Sequence, residues 1–238
     1  MSPLRFSLLL LVLSLGALLL TLYLGPVPVS LSDLARHDPA AETIVWEIRL
    51  PRALAAWLVG AALGLSGAAL QGLLRNPLAD SGVLGLSGFA ALGAVIAFAF
   101  GASMLAPLGA LVFAALAAAL VTLLGWSARG PASLALIGVG LSSLAGGLIA
   151  LALNLAPNPG ALSDLVNWTL GSVEGRSFND ALLAGGFLAA GATLILFAAR
   201  GLQALTLGEE AAAAIGANLT RTRTLVVLGR RTVGAVDV

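Results

Sequence analysis

An all-α, polytopic transmembrane helix bundle is the fold class this sequence predicts, on three observations. Of its 238 residues, 59% are hydrophobic and 10% charged, whereas soluble domains carry about 25% charged residues. The charges are clustered, and the stretches between them are about 20 residues long, enough to cover the ~30 Å hydrocarbon core at ~1.5 Å rise per residue. Those stretches end abruptly at Arg, Asn, Pro or Gly. The reading is a single membrane domain over 1–238 with about six complete spans and a partial seventh.

The elements follow in order. A first span over 6–24 lies between Arg5 and the Gly25, Pro26, Pro28 cluster. A cleaved secretory leader is its alternative reading, but its apolar run exceeds the ~7–15 residues of a leader core, which favours an uncleaved helix. The second span, over 53–74, begins after Arg49, Pro51 and Arg52 and stops at Arg75, Asn76 and Pro77. Residues 81–128 are uncharged and too long for one crossing, so Gly101, Ser103 and Pro107 are expected to divide them into spans over 83–100 and 104–125. The fifth span runs over 133–153 and the sixth over 181–199.

Orientation follows from the arginines, because cationic loops stay on the cytoplasmic side. With the N-terminus cytoplasmic, Arg5, Arg75, Arg129, Arg200, Arg221 and Arg223 are inside, and Arg36, Arg49, Arg52 and Arg176 outside.

Chemistry is excluded more readily than assigned. No Asp, Glu, Lys, Arg or His lies within the six spans, whose polar residues include Ser66, Gln71, Thr122, Ser142, Ser143 and Thr193, with Asn154 just past the fifth. Proton and sodium relays need buried ionisable groups, so energy for transport is expected from elsewhere. GLSG occurs at 64–67 and at 85–88, the pattern of an intramembrane serine protease. A serine nucleophile needs a neighbouring base, and the single histidine, His37, sits in a loop beside Pro39; the motif therefore reads as a packing element. With one His, two Met and no Cys, no metal site or cofactor is expected. There is no GxxxxGK[ST] phosphate loop, so the chain is not expected to be itself an ATPase, and it is read as no enzyme. All twelve basic residues are arginine and the net charge is +1, which gives no sign of a nucleic-acid partner. Glycines at 60, 64, 67, 138, 140, 146 and 147 are expected to let helices approach closely in lipid, with sliding during a transport cycle as the functional alternative.

Against this background the ordered blocks RLPR, GAALGLSGAALQGLLRNPLAD and VLGLSG closely resemble the signature of the FecCD-type permeases, membrane subunits of ABC importers for iron-siderophores, haem and cobalamin. GVGLSSL at 138–144, NWTLGS at 167–172 and LTLGEEAAAAIGANLTRTR at 205–223 resemble later blocks of the same family, so the resemblance covers about residues 5–228. It implies a bacterial inner-membrane permease importing an iron chelate (siderophore or haem) or cobalamin by alternating access, with iron-siderophore the leading cargo. Its implied partners are a second permease subunit, two cytoplasmic ATPase subunits, an external solute-binding protein and membrane lipid.

The resemblance also assigns roles. Arg49 and Arg52 would be exposed rim cations that dock the binding protein, gripping carboxylates bidentately. Gly208, Glu209, Glu210, Ala211 and Gly216 would form the segment seated in the ATPase, as a short helix over 208–218. Arg75, Asn76 and Pro77 would be a helix-ending elbow on that same side.

Three departures stand out. Asp80-Ser81 replaces an acidic residue followed by proline, and Gly88-Phe89 replaces a small pair. After TLVVL at 224–228, Gly229, Arg230 and Arg231 interrupt what should be a seventh span of roughly ten, where a mid-span arginine costs about 2.5–3.5 kcal/mol. The tail GRRTVGAVDV is therefore expected to fit the family poorly, as a frameshift or truncation would make it. The alternative function is a non-transporting membrane scaffold or pseudogene product.

Overall fold

The computed structural model describes residues 3–80, 82, 84–125, 131–157 and 160–236. Arg129, Ser81, Val83 and Asp237, used in the sequence argument, lie outside them. The described residues form helices joined by turns, with no strand among them. They divide into two compact units, Met1–Ala61 with Val173–Gly186, and Ala62–Ser172 with Phe187–Val238.

The first unit opens with α1 (Pro3–Tyr23), an uninterrupted apolar run that stops before Gly25 and Pro26. Two short helices follow, each started by a side-chain cap. α2 (Leu31–Ala35) has a reciprocal capping box, in which Ser30 and Asp33 each accept from the other's backbone N–H. α3 (Pro39–Glu42) has Asp38 as cap and Pro39 at its first position, where a missing N–H costs nothing. A π-helical segment, Thr43–Arg49, then leads without a break into α4 (Leu50–Leu74). The Leu50 N–H bonds the Val45 carbonyl, and this wider turn sits where Pro51 cannot donate and would crowd the carbonyl four residues back.

In the second unit, α5 (Leu86–Ala99), α6 (Ala106–Gly125) and α7 (Pro131–Leu155) pack on one another, with α8 (Ala161–Leu170) against α5. α9 (Phe178–Leu205) starts in the first unit and ends in the second, as α4 does. α10 (Glu209–Ala214) and α11 (Leu219–Gly234) complete the chain. The core joins Leu70 and Leu73 of α4, Leu86 and Phe89 of α5, Val121 of α6, Leu141 of α7, Ile195 and Leu205 of α9, and Val226, Val227 and Val233 of α11.

Every expected span is a helix, with revised ends. Among the described residues, five helices are long and apolar enough to cross a membrane. The stretch expected at 83–100 is instead the 14-residue α5, about 21 Å long and short of a full crossing. Its start is set back because Gly85 takes φ +74°, a left-handed turn. The second span starts earlier than expected: helix is continuous over Pro39–Leu74, so Arg49 and Arg52 lie within it. Arg200 belongs to α9 and not to a loop.

The glycine expectation needs correcting as well. A Cβ on Gly60, Gly64, Gly67, Gly140, Gly146 or Gly147 would meet nothing within 4 Å. Close approach occurs elsewhere, where Gly93 of α5 faces Gly109 of α6 and Gly229 of α11 faces Gly191 of α9. Of the two GLSG copies, the one at 85–88 packs: a Cβ on Gly85 would stand 2.8 Å from the Gly138 carbonyl oxygen of α7, and one on Gly88 3.3 Å from the Ala145 Cβ.

Candidate functional site

The rim arginines are used differently from one another. Arg49 ends the π-helical segment and is 8% exposed. Its Nη1 donates to the Leu22 and Tyr23 carbonyls at 2.8 and 2.9 Å, and its Nη2 donates to the Val27 carbonyl. The last carbonyls of α1 have no intrahelical donors, and a guanidinium satisfies them while its charge favours a helix C-terminus. Gly25 makes room: a Cβ there would lie 2.7 Å from Arg49 Nη2. Arg49 is thus a clasp between α1 and the helix leading to α4, and not the exposed cation expected for it. Arg52 is half-buried, and its buried Nε has no hydrogen-bond partner among the described residues.

The elbow forms as the residue types require. Arg75 takes φ +50°, and the Asn76 N–H reaches back to the Gln71 carbonyl at 3.2 Å, the bond of a Schellman helix end. Asn76 Oδ1 accepts from the Leu78 N–H at 2.9 Å, and Gln71 Nε2 donates to the Pro77 carbonyl at 3.0 Å. Pro77 thereby terminates α4 in a turn that its own neighbours close.

The segment over 208–216 lies against this elbow. Gly208 takes φ +100°, ψ 157°, a region open essentially only to glycine, and its Cβ position is 3.7 Å from Arg75 Nη1. Glu209 and Glu210 occupy the first turn of α10, where the helix dipole favours acids. Gly216, at φ +84°, turns the chain into α11, which Asn218 caps by accepting from the Arg221 N–H at 2.9 Å. Glu209 Oε1 accepts from Arg223 Nη2 at 2.8 Å, fixing α10 to α11. Ala212 is buried, while Glu210, Ala211, Ile215, Gly216 and the preceding Leu207 are exposed. The result is a small acidic and apolar knob.

A cavity of about 340 Å³ opens beside α11. It is lined by Leu86, Ser87, Ala90 and Ala91 of α5, Leu111 and Ala114 of α6, Trp168 of α8, Phe187 of α9 and the end of α11 from Arg230 onward. Arg230 is 5% exposed and donates from Nη2 to Ser87 Oγ at 2.8 Å. The helix runs straight through both arginines.

The model of the FecCD transport family matches residues 9–236. The chain belongs to that family. The match extends through GRRTVGAV, which corrects the expectation that the tail fits poorly; within that stretch Arg230 is buried in the protein. Among relatives, the vitamin B12 import system permease BtuC of Vibrio cholerae is 38% identical over 231 residues, covering 94% of this chain and 68% of its own length. An uncharacterised ABC transporter permease of Bacillus subtilis, YvrB, is 33% identical over 205 residues, covering 82% of this chain. A solved structure described as an inward-facing metal-chelate type ABC transporter superposes with TM-score 0.83 at 28% identity, covering 98% of this chain and 74% of that one. The chain spans 58% of the Bacillus relative's length.

Within the FecCD frame, the geometry brings Arg75 of the elbow beside Gly208, and gives Arg49 and Arg52 different surroundings. The residues that sequence reasoning missed are Gly25, Ser87, Arg223, Arg230 and Arg231. Arg230 and Arg231 carried a signal, since paired arginines next to an apolar run are costly unless something receives them. Ser87 was set aside with the protease motif, and its partner lies 143 positions away. The polar span residues bond their own helices: Ser66 donates to the Leu63 carbonyl, Thr122 to Ala118, Ser143 to Val139, Asn154 to Ala150 and Thr193 to Ala189.

Proposed function

We propose that the chain is the membrane-spanning permease subunit of an ABC importer whose cargo is an iron chelate or cobalamin. The observation that carries this is the single face made by the α4 elbow and the α10 knob, with Arg75 Nη1 3.7 Å from the Gly208 Cβ position. A motor subunit that grips α10 through exposed Leu207, Ala211, Ile215 and Glu210 pulls on the end of α4 and, through Glu209–Arg223, on α11. The vitamin B12 relative and the metal-chelate structural relative support the cargo class. In this reading a second permease subunit, two ATPase subunits and a solute-binding protein complete the machine in the inner membrane. Arg52 is the rim cation left for the binding protein, and Arg49 acts indirectly by holding α1 in place.

Co-reconstitution with the ATPase and binding protein in proteoliposomes tests the reading. ATP-dependent accumulation of a radiolabelled ferric chelate or cobalamin is expected, and Gly208→Val should abolish it while leaving the chain folded. Absence of ATP-dependent accumulation of either cargo would sink the importer reading. Because the chain has no cysteine, single-cysteine labels settle orientation. With the N-terminus cytoplasmic, Ala213→Cys reacts with an impermeant maleimide in inside-out vesicles and Ser32→Cys in right-side-out vesicles.

A further inference from the structure

We propose that the turn between α5 and α6, Phe100–Leu105, is a lipid-inserted surface, with Phe100 and Met104 lying against acyl chains at the headgroup boundary and not in water. The proposal uses only the membrane-spanning character of the chain and is independent of what the chain transports.

Which side chains face out is the first argument. Met104 is 95% exposed and Phe100 76%, with Leu105 exposed beside them. The same end of the hairpin buries the small Ala106 and Ala110 with Phe98, whose ring meets Trp168 edge-on at 5.7 Å. Water drives large apolar side chains inward and leaves few such patches on a soluble surface. Lipid solvates them as well as protein does, so small residues inside and large ones outside is the order a bilayer allows. The hairpin holds this arrangement firmly, because α5 and α6 meet backbone to backbone: a Cβ on Gly93 would overlap the Gly109 carbonyl.

The backbone of the turn is the second. A turn in lipid has no water for its polar groups and must match them internally. Gly101 takes φ +71° and closes a Schellman helix end, in which the Ala102 N–H bonds the Ala97 carbonyl at 2.8 Å and the Gly101 N–H the Phe98 carbonyl at 3.0 Å. The Phe100 N–H bonds the Ile96 carbonyl at 3.3 Å, the Leu105 N–H the Ala102 carbonyl at 2.8 Å, and the Ala106 N–H the Ser103 carbonyl. These donors need no water.

Continuity and charge are the third. Helix is continuous over Ser103–Gly125 with mean hydropathy 2.4, and Leu105 heads a stripe of exposed Leu108, Val112, Leu116 and Leu123 at the spacing of one helix face. The turn extends this lipid-facing stripe rather than ending it. Residues 81–128 contain no charged side chain, so nothing draws the turn into water or pairs with the charges of a docking protein. The helix over Ser103–Gly125 is about 34 Å long at ~1.5 Å per residue, short of the ~40–45 Å of a bilayer with its headgroups. Centred in the bilayer, it leaves its tip within the headgroup layer.

The test uses nitroxide labels on single cysteines of the full chain, which has none of its own, in phosphatidylcholine proteoliposomes. Phe100→Cys and Met104→Cys report on the turn, with Val112→Cys on the α6 stripe and Ser32→Cys on α2 as lipid and water references. Collisions with dissolved oxygen, which concentrates among acyl chains, should exceed those with a water-soluble nickel chelate at 100 and 104, as at 112, and the order should reverse at 32. Nickel-dominated collisions at 100 and 104 overturn the proposal. A label at 104 shielded from both reagents also overturns it, because a second copy or a docking protein then covers the turn. Bimane at the same sites gives a second reading: quenching by lipids with brominated acyl chains supports the proposal, and quenching by aqueous iodide overturns it. Neither assay uses cargo or ATPase, so failed uptake faults the importer reading alone and nickel-dominated labels fault the lipid-inserted turn alone.

Discussion

α1 and α11 invert the rule that apolar helices are the buried ones. α1 has a mean hydropathy of 2.4 over its span and buries none of it within the protein. α11 carries Arg221, Arg223, Arg230 and Arg231, yet buries Thr222, Val226, Val227, Gly229, Arg230 and Val233. In a bilayer this is the expected order, because lipid solvates Leu as well as another helix does and gives no drive for packing. Polar groups, by contrast, are satisfied only by protein or trapped water. Hydropathy therefore locates α1 in the membrane, and the hydrogen-bond partners of α11 locate it in the bundle.

Substitutions should separate the two helices by their effect on unfolding. Gly229→Val on α11 gives the largest effect: a Cβ there meets Ile195 Cγ1 at 2.7 Å and the Gly191 carbonyl oxygen at 3.0 Å, and overpacking of this kind costs about 3 kcal/mol. The thermal midpoint in detergent, followed by tryptophan fluorescence, should fall by many degrees. Arg49→Gln comes next, at about 2 kcal/mol for charged hydrogen bonds lost from the α1 carbonyls. Proteolysis should then release α1 first, and an unchanged cleavage pattern would show that the clasp does not hold it. Glu209→Gln breaks the partly buried pair with Arg223 for about 1 kcal/mol; the readout is faster hydrogen exchange in α10 with α11 unchanged.

Leu13→Ala on α1, whose side chain is exposed, should change the midpoint by less than about 0.5 kcal/mol equivalent. A large effect there would break the contrast between the helices. Smallest of all is a pH effect at α2. The Ser30 hydroxyl and N–H hold the exposed Asp33 carboxyl below its ordinary value. A carboxyl depressed by folding stabilises at neutral pH and loses that contribution as pH falls through the carboxylate range. Amide exchange at Ser30 and Asp33 should accelerate there, with no shift in the global midpoint.

Much of the bundle was legible because charge placement is a local property. The uncharged stretches located α1, α4, α5, α6, α7 and α9, and Gly208 with Glu209 and Glu210 marked the start of α10. What escaped depends on partners distant in sequence. Arg49 reads as an exposed rim cation until the α1 carbonyls are brought beside it. Arg230 reads as a break in a span until Ser87 is found opposite. GxxxG spacing at Gly60 and Gly64 reads as an interface, yet the helix contacts use Gly93 with Gly109 and Gly191 with Gly229, which no spacing within one helix reveals. The π-helical turn before Pro51 belongs to the same class, since it depends on how a proline is accommodated and not on periodicity.

Arg223 and Arg230 stand one heptad apart on α11, two turns along one face and about 10 Å in rise. The helix between them is unbroken, so it transmits displacement along its axis and cannot shorten. At one end it is gripped by Glu209, at the other it grips Ser87. In mechanical terms α11 resembles a push-rod with a pin at each end, tying α10 to the α5 wall of the cavity.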